Sequence, residues 1–179
     1  MKIVKSLLHD VKCIEMPRFE DRRGSFTKIF EAKHYADLGV ALDIREMYYS
    51  VSARHVIRGM HFQVPPAEHS KYVFVLRGAV RDVVLDLRKG SPVYGKAADV
   101  VLSAGNRLAL FIPPGFAHGF LSLEDHTVMQ YAVSGEYDPA HDRGILWNSF
   151  GYDWGVDEPV ISERDRGLHT FDKFESPFR

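Results

Sequence analysis

Basic and aromatic side chains cluster in an otherwise apolar stretch of the sequence. His61 lies in Arg58-Gly59-Met60-His61-Phe62-Gln63, and Lys71 follows ten residues later. A second histidine, His118, lies between Phe116-Ala117 and Gly119-Phe120, just after a Pro-Pro-Gly turn. A polar group that points inward from a strand costs ~1–3 kcal/mol if it stays unpaired, so such a cluster indicates a cavity. These side chains are therefore candidates for a ligand-binding site.

Metal binding is one kind of chemistry that fits this cluster. His61 and the later Pro113-Pro114-Gly115 and His118 are similar to the two halves of the metal-binding cupin pattern, which uses two nearby histidines, an acidic ligand and a distal histidine. Gln63 stands where the second histidine would be, and an amide is a poor ligand for Zn, Fe or Mn. Glu68 is roughly placed for the acidic ligand, but a good nitrogen donor is still lacking. We therefore expect no metal at these residues.

Proton transfer next to a carbonyl group is the other kind of chemistry. A neutral imidazole can take a proton at neutral pH, and an ammonium group can stabilise the enolate oxygen that forms. A tyrosine phenol can return a proton from the opposite side. Loss of a proton from one face of a ring and gain on the other is epimerisation. Residue spacing alone does not choose between the two kinds of chemistry.

Short strands joined by turns must position these side chains. Apolar or alternating runs separated by turn residues occur at 72–76, 80–87, 98–102, 108–112 and 128–133. Strands this short, at intervals of about 8–12 residues, are typical of an antiparallel sandwich or barrel. In the second run Val83, Leu85 and Leu87 alternate with more polar residues, which predicts a half-buried strand. Residues 30–38 are the clearest helix candidate, and Gly39 follows them at a plausible C′ position.

Length, composition and charge restrict the class of protein. The 179 residues, 45% hydrophobic and 26% charged, predict one globular domain over residues 1–179, with an irregular segment from Tyr137 onward covering the β core. A formal net charge of −1 argues against binding to nucleic acid or to a membrane surface. The longest stretch without Asp, Glu, Lys or Arg, residues 108–123, is too short to span a bilayer. The only cysteine, Cys13, allows no intrachain disulfide, and we expect a cytoplasmic protein.

Many ordered segments resemble the dTDP-4-dehydrorhamnose 3,5-epimerase family, and the similarity covers nearly the whole chain. The matching segments are 19–26, 50–52, 56–63, 82–95, 112–120, 144–148 and 161–165, together with Lys71, Tyr131 and Tyr137. The resemblance implies an all-β, antiparallel, cupin-like jelly-roll barrel with a few short helices, no metal and no other cofactor. It also implies a homodimer whose subunits exchange strands. The implied activity is inversion of C3, C5 or both in a nucleoside-diphosphate 4-keto-6-deoxyhexose.

The resemblance also implies roles for individual residues. His61 matches the general base of the family, and Asp165 matches the carboxylate that orients it. Lys71 matches the lysine that stabilises the enolate at the C4 oxygen, and Tyr131 matches the general acid on the opposite face. The positions that match substrate-binding residues are Phe19, Arg23, Phe26, Arg58, Gln63, His118 and Tyr137, of which Arg23 and Phe26 are expected to complete the site of the neighbouring subunit.

Three positions depart from the family pattern. Lys28 stands where the family usually has Glu, and Glu46 and Tyr48 stand where it usually has Gln and Asn. One hypothesis is that these side chains face solvent and that thymidine is bound as usual. The other is a different base, with cytidine as the first choice, because the Glu46 carboxylate could accept from its exocyclic amine. A non-catalytic sugar-nucleotide-binding jelly roll is a further alternative, although the four intact catalytic positions weigh against it.

Overall fold

The computed structural model describes residues 1–40 and 42–179. The strands along these residues are β1 (Lys2–Leu7), β2 (Val11–Glu15), β3 (Arg18–Asp21), β4 (Gly24–Thr27), β5 (Glu46–Ser52), β6 (Ile57–Gln63), β7 (Lys71–Arg77), β8 (Ala79–Asp86), β9 (Ala97–Ser103), β10 (Leu108–Ile112), β11 (Phe116–Ser122), β12 (Thr127–Val133) and β13 (Asp142–Gly144). The helices are α1 (Ala32–Asp37), α2 (Glu163–Arg166) and a 3₁₀ turn, Phe171–Lys173. None of the helices in this part of the chain is long and apolar enough to cross a membrane.

Two antiparallel sheets face each other across the main core. One sheet has the strand order β1-β2-β10-β7-β12-β5, and the other has the order β13-β6-β11-β8-β9. Val73 and Leu110 of the first sheet pack in one buried cluster with Val84 and Phe120 of the second. Strands β3 and β4 form a separate hairpin. The prediction of an all-β, antiparallel jelly roll is confirmed.

The prediction of a half-buried β8 is wrong, because both faces of this strand are covered. Asp82 and Asp86 are fully buried and are paired, Asp82 with His118 and Asp86 with Arg88. A buried carboxylate is tolerated where a hydrogen-bonded partner compensates its lost hydration. The alternation of aspartate and apolar residues in this strand therefore marks buried, hydrogen-bonded carboxyl groups and not a solvent-exposed face.

The chain after Tyr137 covers the outer face of the second sheet, as predicted. Ile145, Trp154 and Phe178 of this segment form a second buried cluster with Ile57 and Leu85. The segment also supplies β13, which pairs with the edge of β6, and the short helix α2. The apolar pattern of the sequence indicated neither of these elements, since each is only three or four residues long.

Helix α1 is shorter than the predicted range of residues 30–38. Glu31 has extended backbone angles, φ −151° and ψ 111°, so the helix begins after it. Gly39 ends the helix with φ +67°, and its N–H donates to the carbonyl of Ala36 at 2.9 Å. A positive φ at this position is readily adopted by glycine, which is why the predicted C′ position is confirmed.

Candidate active site

His61 and Asp165 form a hydrogen-bonded pair that joins β6 to α2. The His61 Nε2 lies 2.7 Å from Asp165 Oδ1, and the second carboxylate oxygen accepts from the backbone N–H of Gly59 at 3.2 Å. Ser162 caps α2 by accepting from the Asp165 N–H, which fixes the carboxylate on this short helix. Asp165 is only 4% exposed.

The ionisation of this pair determines which imidazole nitrogen can act as a base. Burial by itself would raise the pKa of Asp165, but the hydrogen bond from His61, its charge and the Gly59 N–H together bring the pKa below its ordinary value. An ionised carboxylate only accepts hydrogen bonds, so the Nε2 of His61 must donate. The neutral imidazole then has its lone pair on Nδ1, which is the nitrogen that can take a proton.

Lys71 is the first residue of β7 and directs its ammonium group towards His61. Its Nζ donates to the backbone carbonyl of His61 at 3.0 Å. Burial lowers the pKa of Lys71 to about 8, against the opposing effect of the carboxylates of Asp142 and Asp82. The site thus contains a cation that is still largely protonated at neutral pH but holds its proton weakly.

Tyr131 lies on β12 with its ring in the core and is 8% exposed. Its ring stacks on Tyr48 at a centroid distance of 4.7 Å and 18° between planes, and it meets the ring of His118 edge-on at 6.2 Å and 70°. Burial raises the pKa of the Tyr131 phenol well above its ordinary value. The hydroxyl is therefore a proton donor throughout the neutral and mildly alkaline range.

Two adjoining cavities meet at these side chains. The "Tyr131 cavity", of about 270 Å³, is lined by Ser50, Arg58, His118, Phe120, Tyr131, Ser162 and Asp165. The "Tyr137 cavity", of about 290 Å³, is lined by Glu46, Phe62, Gln63, His69, Val133, Tyr137 and Asp142. Tyr48, His61, Lys71 and Arg164 line both cavities. A base, an ammonium group and a phenol thus border the Tyr131 cavity and form one candidate ligand site.

Comparison with known proteins identifies the family. A family model described as dTDP-4-dehydrorhamnose 3,5-epimerase matches residues 5–173. The chain belongs to this family. The epimerase is 38% identical, over 168 residues, to a protein of Shigella flexneri named dTDP-4-dehydrorhamnose 3,5-epimerase, with 92% of this chain and 93% of that protein covered. It is 39% identical, over 149 residues, to a protein of Streptomyces niveus named dTDP-4-dehydrorhamnose 3-epimerase, with 82% of this chain and 72% of that protein covered.

A solved structure agrees with the family assignment. The dTDP-4-dehydrorhamnose 3,5-epimerase of Bacillus anthracis, crystallised with TDP and PPi bound, has a TM-score of 0.92 and 39% sequence identity to this epimerase. The match covers 94% of this chain and 98% of that chain. At this similarity the two share the jelly-roll fold.

The β3–β4 hairpin lies apart from both cavities within one chain of the epimerase. Phe19 and Phe26 are each more than 60% exposed and lie opposite each other on the hairpin, and Arg23 forms an ion pair with Asp21 at its tip. Lys28 follows the hairpin and donates to Glu31 at 2.8 Å. A single chain therefore does not bring Phe19, Arg23, Phe26 or Lys28 to the predicted substrate site.

The other predicted binding residues do lie at the cavities. Arg58, Gln63, His118, Tyr137, Glu46 and Tyr48 each line at least one of them. Gln63 also has a local role, because its amide donates to the carbonyl of Glu136 and accepts from the N–H of Asp138. The Glu46 carboxylate accepts from the N–H of Tyr137 at 3.0 Å. Gln63 and Glu46 thus hold the loop that carries Tyr137 over its cavity.

The epimerase contains a second His–Asp pair that the sequence did not predict. The His118 Nε2 lies 2.9 and 3.0 Å from the two carboxylate oxygens of Asp82, and both side chains are buried. Burial raises the pKa of Asp82. The repeated aspartate in the apolar run 80–87 was a signal for this pair, but no local pattern connects it to His118, 36 residues later.

Over residues 1–40 and 42–179, no group of three or more His, Cys, Asp or Glu side chains is arranged to hold a metal ion. The set of His61, Glu68 and His118 that the cupin pattern suggested does not form such a group.

Proposed function

We propose that this epimerase acts on a nucleoside-diphosphate 4-keto-6-deoxyhexose and inverts the carbons next to its ketone. One observation carries the proposal: the Asp165-paired His61, the Lys71 ammonium and the Tyr131 phenol all border the Tyr131 cavity. Inversion needs a base on one face of the sugar ring and an acid on the other, with a cation beside the carbonyl oxygen. A protein that only binds the sugar nucleotide has no need of this set.

In the first step His61 removes the proton next to the ketone. The C–H bond breaks, the proton bonds to His61 Nδ1, and the electron pair moves into a C–C double bond while the C4 carbonyl becomes an enolate. Asp165 stabilises the imidazolium that forms, as a buried carboxylate does for a catalytic histidine. Lys71 stabilises the negative charge on the C4 oxygen, and in a buried site this interaction is stronger than it would be in water.

In the second step Tyr131 protonates the same carbon from the opposite face. Its O–H bond breaks as the new C–H bond forms, and the C4 carbonyl is restored. The phenolate and the imidazolium then exchange their charges through proton transfer with water. Substrate and product have the same composition and oxidation state, so the reaction balances without an electron acceptor.

Deuterium exchange in heavy water tests this function. We expect dTDP-4-keto-6-deoxyglucose to gain deuterium at every carbon that is inverted, and NMR identifies those carbons. The experiment also decides between inversion of C3 alone and inversion of both C3 and C5. This matters because the relatives of this chain include a 3,5-epimerase and a 3-epimerase. The control is His61→Ala, which should lose exchange at both carbons by about 10²–10⁴-fold. Tight nucleotide binding with no exchange on any 4-keto sugar nucleotide would instead identify a non-catalytic binding protein.

We further propose a homodimer in which the β3–β4 hairpin completes the site of the partner subunit. An isolated two-stranded hairpin is at best marginally stable in water, so the exposed Phe19 and Phe26 need a surface to pack against. Strand β5 is a sheet edge, and its outward residues Met47, Tyr49 and Val51 are all at least half exposed. A long apolar edge of this kind favours pairing with a second chain.

Mixed dimers test the shared site. Arg23→Ala and His61→Ala subunits should each be nearly inactive alone. After random mixing, half of the dimers are hybrids, and each hybrid has one site with both residues intact, so activity should return to about a quarter of the unmodified level. A mixture as inactive as its components would show that each site is built from one chain.

A further inference from the structure

Tyr48 lies directly beside the tyrosine that we propose as the acid. It is the Cα partner of Tyr131 in the antiparallel pairing of β5 with β12. Directly opposed residues on such a ladder project from the same face, so their side chains meet. The result is the stacked pair of rings at 4.7 Å and 18°. The Gln130 amide donates to the Tyr48 carbonyl at 2.9 Å and holds the edge strand at this point.

Two aromatic rings contact Tyr131, and they are held differently. His118, which meets the ring edge-on, is buried and is fixed by Asp82 on the second sheet. Tyr48, which stacks on the ring, belongs to the edge strand β5, whose neighbour in the sheet is β12. Removing the Tyr48 ring would therefore remove the stacked contact and leave the edge-on contact with His118.

Tyr48 also borders the reacting space itself. It lines both cavities together with His61 and Lys71. Burial raises its pKa to about 12, and the nearby carboxylates of Glu46 and Asp142 act in the same direction. The phenol therefore stays neutral, and its contribution to the site is the position of its ring.

We propose that Tyr48 is a positioning residue that holds Tyr131 in line with the enolate. The inference rests on the proposed function. The enolate can be protonated in two ways. Tyr131 protonates it from the opposite face and inverts the carbon, or His61 returns a proton that has exchanged with solvent to the original face. Displacement of the Tyr131 phenol slows only the protonation that inverts the carbon. Tyr48 thus sets the fraction of enolates that end in inversion.

The ratio of inverted product to total deuterium exchange measures this fraction. In Tyr48→Ala we expect the ratio to fall by about three- to tenfold. This range corresponds to the interaction free energy of one aromatic pair. Tyr48→Phe retains the stacked ring and should stay within about twofold of the unmodified ratio. The matched control is Tyr152→Ala: Tyr152 also stacks on an aromatic ring, that of Phe150 at 6.3 Å and 16°, but it lines neither cavity. This control should lower the melting temperature without changing the ratio.

The outcomes separate this inference from the function on which it rests. No exchange in the unmodified protein would refute the proposed function. Normal exchange with an unchanged ratio in Tyr48→Ala would overturn the role of Tyr48. An equal loss in Tyr48→Phe would also overturn it, because the hydroxyl and not the stacked ring would then be responsible. If Tyr48→Ala does not fold, Tyr48→Leu decides the question, since leucine keeps an apolar group on the strand but removes the aromatic face.

Discussion

The buried ammonium group of Lys71 should give the reaction an alkaline limit. Burial lowers the pKa of Lys71 to about 8, and only its protonated form stabilises an enolate oxygen. With that pKa the protonated fraction is about 0.9 at pH 7 and about 0.1 at pH 9. We therefore expect kcat/KM to fall about tenfold between these pH values. A solvated lysine, with a pKa near ~10.4, would stay almost fully protonated over the same range.

The pH profile of kcat/KM, measured by NMR or a coupled assay over short times, checks this value. It reports the ionisation of the free protein. Lys71→Arg is the control, because a guanidinium stays protonated, and any residual activity should show no decline up to pH 9.

Two neighbouring variants should move the alkaline limit in opposite directions. The Asp142 carboxylate raises the pKa of Lys71 and the Arg164 guanidinium lowers it, although burial has the largest effect. Asp142→Asn should therefore move the limit to lower pH, and Arg164→Gln should move it to higher pH. A profile that stays flat to pH 9, or shifts of the same sign in the two variants, would refute the assignment of the limit to Lys71.

Deprotonation of Lys71 does not itself favour unfolding at alkaline pH. Its folded pKa of about 8 lies below that of the unfolded chain, so between these values the unfolded chain binds more protons. The contribution of Lys71 to the free energy of unfolding therefore rises with pH across that window. Circular dichroism at pH 9 should show a folded protein while activity is mostly lost.

Four further predictions follow from the site. Asp165→Asn should lower turnover by about 10²–10⁴-fold, since an amide that donates would hold His61 in the wrong tautomer, and deuterium exchange measures the loss. Tyr131→Phe should lose inversion while exchange with retention continues; inversion at the normal rate would show that Tyr131 is not the acid. The affinities of CDP and dTDP should differ at least tenfold, or ~1.4 kcal/mol, and Glu46→Gln should reduce the difference in calorimetric titration; equal affinities would show that Glu46 does not select the base. Exhaustive chelation should leave the activity unchanged. Loss of activity on chelation and its return when a metal ion is added would support the metal-cupin alternative.

Local sequence patterns predicted the positions of five strands, β7 to β10 and β12, and the C-terminal end of α1, but they placed the start of the helix too early. The run 108–112 coincides with β10 (Leu108–Ile112), and the glycine at position 39 ends α1 as predicted. These features depend on neighbouring residues: an apolar run with turn residues on both sides, or a positive φ that glycine adopts readily. The resemblance to a known family added residues that local patterns could not. Asp165, in a polar segment, would otherwise have been taken for a solvent-exposed charge.

Other contacts between distant residues were decided by the tertiary structure. The sequence predicts Asp82 on a solvent-exposed face, but in the structure it is buried against His118. The β3–β4 hairpin lies away from the cavities of its own chain. The register of β5 against β12 places Tyr48 opposite Tyr131, although the two are 83 residues apart in the sequence. The proposed role of Tyr48 depends on this register. The alternation of side chains along a strand predicts which residues share a face. It does not predict what covers that face, because burial and charge pairing depend on segments that are far apart in the sequence.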